Sequence, residues 1–204
     1  MKLLVKILTL AVLTTPAFAS DSSDDIIAEI NLARTAPQQY AQILASRTAG
    51  YRGIEGEGVV RDAIHFLEKQ RPLAPLTVCE GMRSSALTHV LDVGSRGGRG
   101  HVGSNGSQPS DRMDRFGKWT GRWGENIDYG QRDARATVIR LIVDDGVRSR
   151  GHRKNIFSSD FRVAGSATGF NASFGSMCVI DFAAGFVEAP GRVATRGAAS
   201  ASQL

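Results

Sequence analysis

Four histidines are the residues of this chain best suited to proton transfer or metal ligation: His65, His89, His101 and His152. Two of them stand in glycine-bordered segments, Gly100-His101-Val102-Gly103 and Gly151-His152-Arg153, and between these lies a carboxylate in a similar setting, Gly124-Glu125-Asn126-Ile127. Neutral imidazole and carboxylate are ordinary zinc ligands, and three of them leave a fourth position for water or substrate. Spacing alone does not gather them. No His-Glu-x-x-His pattern occurs, so only folding across three separate segments could bring such residues together. Taken singly, each histidine reads as a hydrogen-bonded residue of surface or core. His65 lies beside the apolar stripe of its helix and His89 one turn before Asp92, where helix-surface hydrogen bonding accounts for both. Ser104 and Ser107, near His101, lack the Gly-x-Ser-x-Gly elbow of a serine hydrolase. Residues 98 to 103 match the dinucleotide-binding fingerprint literally, but a helical segment precedes them where that motif needs a strand.

The order of several segments says more than any one of them. Gly100 to Ser107 is followed by Ser110-Asp111-Arg112-Met113, then Gly124-Glu125-Asn126-Ile127, then Gly151-His152-Arg153-Lys154-Asn155-Ile156-Phe157, then Met177-Cys178-Val179-Ile180. In this order and spacing the chain resembles the CAP superfamily, which includes plant pathogenesis-related proteins, cysteine-rich secretory proteins, insect venom antigens and bacterial secreted proteins. Asn31-Leu32-Ala33-Arg34 and the stretch from Leu87 to Asp92 fit the same family, so the resemblance covers residues 24 to 187. It implies an α+β fold, an α-β-α sandwich with a central, mostly antiparallel sheet. It also implies a cleft with two histidines and two glutamates, in which several members bind a divalent metal. Carried over residue by residue, His101 and His152 are the histidines and Glu125 is one glutamate. The helix that should bring the other has Ala136 at the matching position and no glutamate from 134 to 139. A zinc site of His101, His152 and Glu125 is therefore expected to be weak, since fewer charged ligands offset less of the cost of dehydrating the ion.

The resemblance names no reaction, because one fold hosts many functions. The leading expectation is a binding module that takes a small amphiphile, such as a lipid or sterol, or a partner protein surface through this cleft. The alternative is a metal-dependent hydrolase in which Glu125 acts as general base on a water held by His101 and His152. The absent carboxylate weakens the hydrolase more, because losing a ligand damages chemistry before it damages a groove.

The elements that must position these residues are helical first and extended late. Ser23 or Asp24 caps a helix in which Ile26, Ile27 and Ile30 share a face, and Pro37 breaks or restarts it ahead of Tyr40, Ile43 and Leu44. After a glycine-rich loop, Val59 to Leu67 form a second stripe, and Glu80 to Val93 a third, with Met82, Ala86, Leu87, Val90 and Leu91 expected to face inward. Gly94 to Gly106 form a loop, and Ala134 to Val143 a further helix that Asp144 and Asp145 terminate. Arg162 to Thr168 and Met177 to Phe186 read as strands, the second with Cys178, Ile180, Phe182, Ala184 and Phe186 alternating onto one face. Arg148, Arg150, Arg153 and Lys154 beside His152 read as a solvated face, with attraction for anionic headgroups as the sharper meaning.

Lys2 and Lys6, the apolar run Ile7 to Val12 and Ala17-Phe18-Ala19 read as a secretory leader over residues 1–19, cut before Ser20. Residues 20–187 are expected to form one domain, and 188–204, without a large apolar side chain, a disordered tail. The chain has 25 basic and 20 acidic residues; without Lys2 and Lys6 the balance is 23 against 20, or +3, too mild to indicate a nucleic-acid partner. The expected protein is a secreted monomer that does not span a membrane. Export makes a Cys79–Cys178 disulfide plausible, against the alternative of two buried thiols. Asn105-Gly106-Ser107 and Asn171-Ala172-Ser173 are formal glycosylation sites.

Overall fold

The computed structural model describes residues 22–131 and 133–191. The leader expected at 1–19 lies outside the described residues, as does the expected tail from residue 192 onward. Two helices, α1 (Ser22–Thr35) and α2 (Pro37–Arg47), meet at Pro37, whose missing N–H costs nothing in the first turn of α2. They are followed by α3 (Glu57–Lys69), the short strand β1 (Thr77–Val78), α4 (Glu80–Gly94) and α5 (Pro109–Met113). Then come β2 (Gly117–Tyr129), α6 (Ala134–Val143), α7 (Gly151–Ile156), β3 (Val163–Gly169) and β4 (Met177–Glu188). The strand order is β1-β3-β4-β2, with β2 and β3 antiparallel to β4 and β1 parallel to β3.

The central strand β4 explains the layering. Cys178, Ile180 and Phe182 enter the largest core, built from α1, α2, α3, α6 and α7. Val179 enters a second core with Ala86, Val90 and Val93 of α4, and Ala183 a third with Met82 and Met113. Successive side chains point to opposite faces of a strand, so a strand apolar at both parities must be covered on both sides. Helices therefore lie on either side of the sheet, which makes the fold an α-β-α sandwich. Arg34, almost wholly buried, ties the layers by donating to the carbonyls of Ala74, Ile156, Ser158 and Phe161.

Several expectations from sequence are corrected. Leu87 and Leu91 face solvent, Leu91 at 69% exposure, because α4 turns Met82, Ser85, Ala86, His89, Val90 and Val93 inward. His89 is a fully buried residue rather than a surface one. Both cysteines are free buried thiols. The Cys79 N–H donates to the carbonyl of Ala164, whose register partner on β4 is Phe182, four residues from Cys178. Four residues of strand span about 13 Å, whereas a disulfide needs Cα atoms within about 7 Å. The strand β2 and the short helices α5 and α7 were not foreseen, and β4 continues through Glu188, where the tail was expected to begin. Among the described residues no helix is long and apolar enough to cross a membrane.

Candidate functional site

The loop after α4 carries His101, the middle of β2 carries Glu125, and α7 carries His152. His101 Nδ1 lies 2.7 Å from Oε1 of Glu125, and Nη2 of Arg112 donates to Oε2 of the same carboxylate at 2.6 Å. Glu125 and Arg112 are both buried side chains, while His101 is half-exposed. Arg112 also donates to the carbonyls of His101 and Ser107 at 3.0 and 3.1 Å, so one guanidinium fixes the loop and the carboxylate beneath it. His152 is anchored separately. Its Nδ1 lies 2.6 Å from Oδ1 of Asp144, and Oδ2 of Asp144 accepts the backbone N–H of His152 at 2.9 Å. Asp144 caps α6 in the left-handed conformation (φ 57°), the turn that aims its carboxylate back at the first turn of α7. Asn126 reaches the carbonyl of His152, and Asn155 reaches Asn126, linking β2 to α7.

An ionised carboxylate only accepts, so Nδ1 of each imidazole is assigned as the donor and Nε2 is the nitrogen a ligand can meet. Both histidines line one cleft of about 750 Å3, together with Ala136, Ile127, Tyr129, Ile139 and Leu141. Glu125 lies beneath His101 rather than on the cleft wall. Asp128 is the β2 carboxylate on that wall; burial raises it to about 6, although Arg140 stands 3.2 Å away. Behind Glu125 stands its register partner Asp181, fully buried, with the Ser85 hydroxyl and the Glu125 carboxylate beside its carboxyl. Burial first, and the Glu125 charge second, push its carboxyl far above the usual range.

Sequence reasoning named His101, Glu125 and His152, of which only the two histidines line the cleft, and missed the residues that hold them. His89 Nε2 lies 2.8 Å from the carbonyl of Gly100, and the Gly100 N–H donates to the Tyr129 hydroxyl, so a buried histidine sets the loop bearing His101. Burial lowers the pKa of His89. Its placement in Leu87-Thr88-His89 was legible, but its inward orientation was not. Asp144, read as a helix terminator, is that and the partner of His152 as well. Arg150 and Arg153 do not form a solvated face: Arg153 is buried against Asp62 and two carbonyls, and Arg150 pairs with Glu55.

The donor set does not fit the three-ligand zinc site that the resemblance implied. Both oxygens of Glu125 are taken by His101 and Arg112, and Ala136 offers no donor. Two imidazoles remain, each backed by a carboxylate as metal-bound histidines often are. Among the described residues no group of three or more His, Cys, Asp or Glu is arranged to hold a metal ion.

The profile of the CAP family, the cysteine-rich secretory protein family, matches residues 27–182. A search of curated proteins gives no match. Among solved structures, an outer surface protein of Borrelia burgdorferi aligns at 14% identity and a TM-score of 0.46, over 54% of this chain and 78% of that one. An extracellular protein containing an SCP domain from Bacillus anthracis aligns at 22% identity and a TM-score of 0.43, over 54% of this chain and 34% of its own. A cysteine-rich secretory protein of Staphylococcus aureus aligns at 12% identity and a TM-score of 0.40, over 63% and 37%. The chain thus spans about a third of the length of these last two.

Proposed function

Because this chain belongs to the cysteine-rich secretory protein (CAP) family, we propose that it is an exported binding module that takes a small amphiphile into the cleft between β2 and α6. One observation carries the reading: in a cleft of about 750 Å3 an apolar wall of Ile127, Tyr129, Ile139, Leu141 and Val147 stands beside two imidazoles, within a lining that also holds four arginines and four aspartates. Small-molecule sites are concave and mostly apolar, with a few placed polar groups that orient the ligand. His101 and His152 suit that role, because each has Nδ1 committed to a buried carboxylate and Nε2 without a partner among the described residues. Glu125 serves as the anchor of His101. The leader pattern at residues 1–19 supports export, and residues 20–187 form the mature binding domain in this reading.

The test is a calorimetric screen of single-chain lipids and sterols against wild type and Ala136→Trp. Ala136 lines the cleft and is half-buried, so an indole there fills the cleft without entering the core. Saturable one-to-one binding to wild type, weakened at least about tenfold in the variant, is the expected result. Binding that survives Ala136→Trp, or none across these lipid classes, rejects the cleft as an amphiphile site.

A further inference from the structure

Beside the cleft stand exposed apolar side chains and two arginines without a carboxylate partner among the described residues. Phe170 and Phe174, in the loop joining β3 to β4, are 65% and 41% exposed, and Ile54, which lines the cleft from the loop after α2, is 86% exposed. These tips do not sit on slack chain. Asn171, fully buried, donates to the carbonyl of Gly98 and accepts the N–H groups of Ser173 and Phe174. Ser173 Oγ donates to the carbonyl of Gly97, and the Ala172 N–H to that of Gly94. The glycines are required for this contact: a Cβ on Gly94 would lie 2.3 Å from the Phe170 carbonyl oxygen, and one on Gly97 would lie 2.1 Å from Ser173 Oγ. A loop pinned this firmly holds its phenylalanines in water, where each exposed ring costs free energy unless a partner covers it.

The charge beside the rings identifies the partner. Arg99 lies over Tyr129 and Phe174, at 5.9 and 5.8 Å from the ring centroids. Arg99 and Arg47 both line the cleft, and neither pairs with a carboxylate among the described residues. Of the carboxylates lining the cleft, Asp145 accepts from the Tyr51 hydroxyl and from the N–H groups of Ile54 and Glu55 and Asp133 from the Ala136 N–H, and neither is paired with Arg47 or Arg99, so these two guanidiniums are what an anion meets locally. We propose that this rim docks on the surface of an anionic lipid bilayer, with Phe170, Phe174 and Ile54 entering the headgroup boundary and Arg47 and Arg99 meeting lipid phosphates. Aromatic side chains favour that boundary, and arginine adds attraction to anionic headgroups. A second copy of the chain is a poorer occupant, because a symmetric contact would set the unpaired arginines of both copies against each other. The inference goes beyond the proposed cleft ligand, since the rim would dock whatever the cleft holds.

The experiment uses protein recovered after export and sedimented with vesicles of phosphatidylcholine alone or mixed equally with phosphatidylglycerol. The anionic vesicles should bind at least about tenfold better, and added salt should weaken them. Phe170→Ser/Phe174→Ser should lower that binding by about tenfold or more, and Arg47→Gln and Arg99→Gln by about fivefold each, with melting temperatures held as a check on folding. Equal binding to both vesicles, no binding, or variants that bind like wild type would overturn the proposal. So would a dimer in the ultracentrifuge that the double phenylalanine substitution dissociates. Vesicle lipids are themselves amphiphiles, so the variants separate the two readings: Phe170 and Phe174 lie outside the cleft lining and report the rim, whereas calorimetry with Ala136→Trp reports the cleft.

Discussion

Replacing Arg112 with methionine removes the guanidinium that neutralises Glu125 while keeping an unbranched side chain of comparable length. Both partners are 1% exposed at the side chain, and the Nη2 to Oε2 distance is 2.6 Å. Deleting one member of such a pair leaves an uncompensated buried charge, which costs about 3–5 kcal/mol. The carbonyls of His101 and Ser107 lose their donor as well, but that loop is near water and rehydrates in part, so 3 kcal/mol is about the lower bound. Native domains have only about 5–15 kcal/mol in hand, and at this size each kcal/mol moves the melting temperature by about 2–4 °C. Arg112→Met should therefore melt about 6–20 °C below wild type. Arg112→Met/Glu125→Leu replaces the pair by apolar groups and should recover at least half of the loss, because the stranded carboxylate is gone. The double variant should also lose cleft binding, since His101 has lost its Glu125 anchor there. The assay is urea denaturation by circular dichroism with a double-mutant cycle. A single-variant loss below about 1 kcal/mol, or a double variant less stable than Arg112→Met, would refute the reasoning.

Burial holds the Asp128 carboxyl up to about 6, above an unfolded value near 3.9, so its contribution to stability is fully present below about pH 4 and lost as pH rises through about 6. Asp128→Asn should accordingly gain on wild type between pH 4 and 7.5, by up to about 3 kcal/mol in urea titrations; a difference independent of pH contradicts this. The two thiols are buried and unbridged, and burial raises Cys79 to about 11, so a thiol reagent should label both only after unfolding, and a reductant should leave the melting temperature unchanged. Zinc calorimetry should give no site tighter than about 1 μM, or −8.2 kcal/mol, and tight binding lost in His101→Ala would restore the metal reading.

Much of the fold was legible because its periodicities are strong. The stripes of α1, α3 and α6 and the alternation of Cys178, Ile180 and Phe182 in β4 follow directly from burial on one or two faces, whereas Phe186, expected on the same face, packs with Ala183 against Met82 and Met113. The missed elements have physical reasons. The strand β2 runs Gly-Lys-Trp-Thr-Gly-Arg-Trp-Gly before Glu125, and its register against β4 shifts between Thr120 and Trp123, so no clean alternation marks it. Leu87 and Leu91 misled because α4 buries Ser85 and His89 in place of leucines. His89 meets the carbonyl of Gly100 in the loop that folds back after α4, a contact that no helical periodicity reports.

The site was half legible for a related reason. Motif order located His101, Glu125 and His152, but motif chemistry assigned the carboxylates to a metal, and geometry assigns them to the imidazoles. Ala136 made the helix α6 look as though it had lost its acid. The acid that α6 supplies to His152 is Asp144, placed at the C-cap where a left-handed residue swings its side chain toward the next helix. His101 and His152 thus share one design: Nδ1 against a buried carboxylate that a further donor also holds, Arg112 for Glu125 and the α7 backbone for Asp144. Two such pairs orient their rings without spending Nε2. Carboxylates used as anchors behind the rings cannot also serve as open metal ligands, and the cleft offers an occupant two fixed ring nitrogens beside the Asp128 carboxyl and the apolar side chains of Ile127, Ile139 and Leu141.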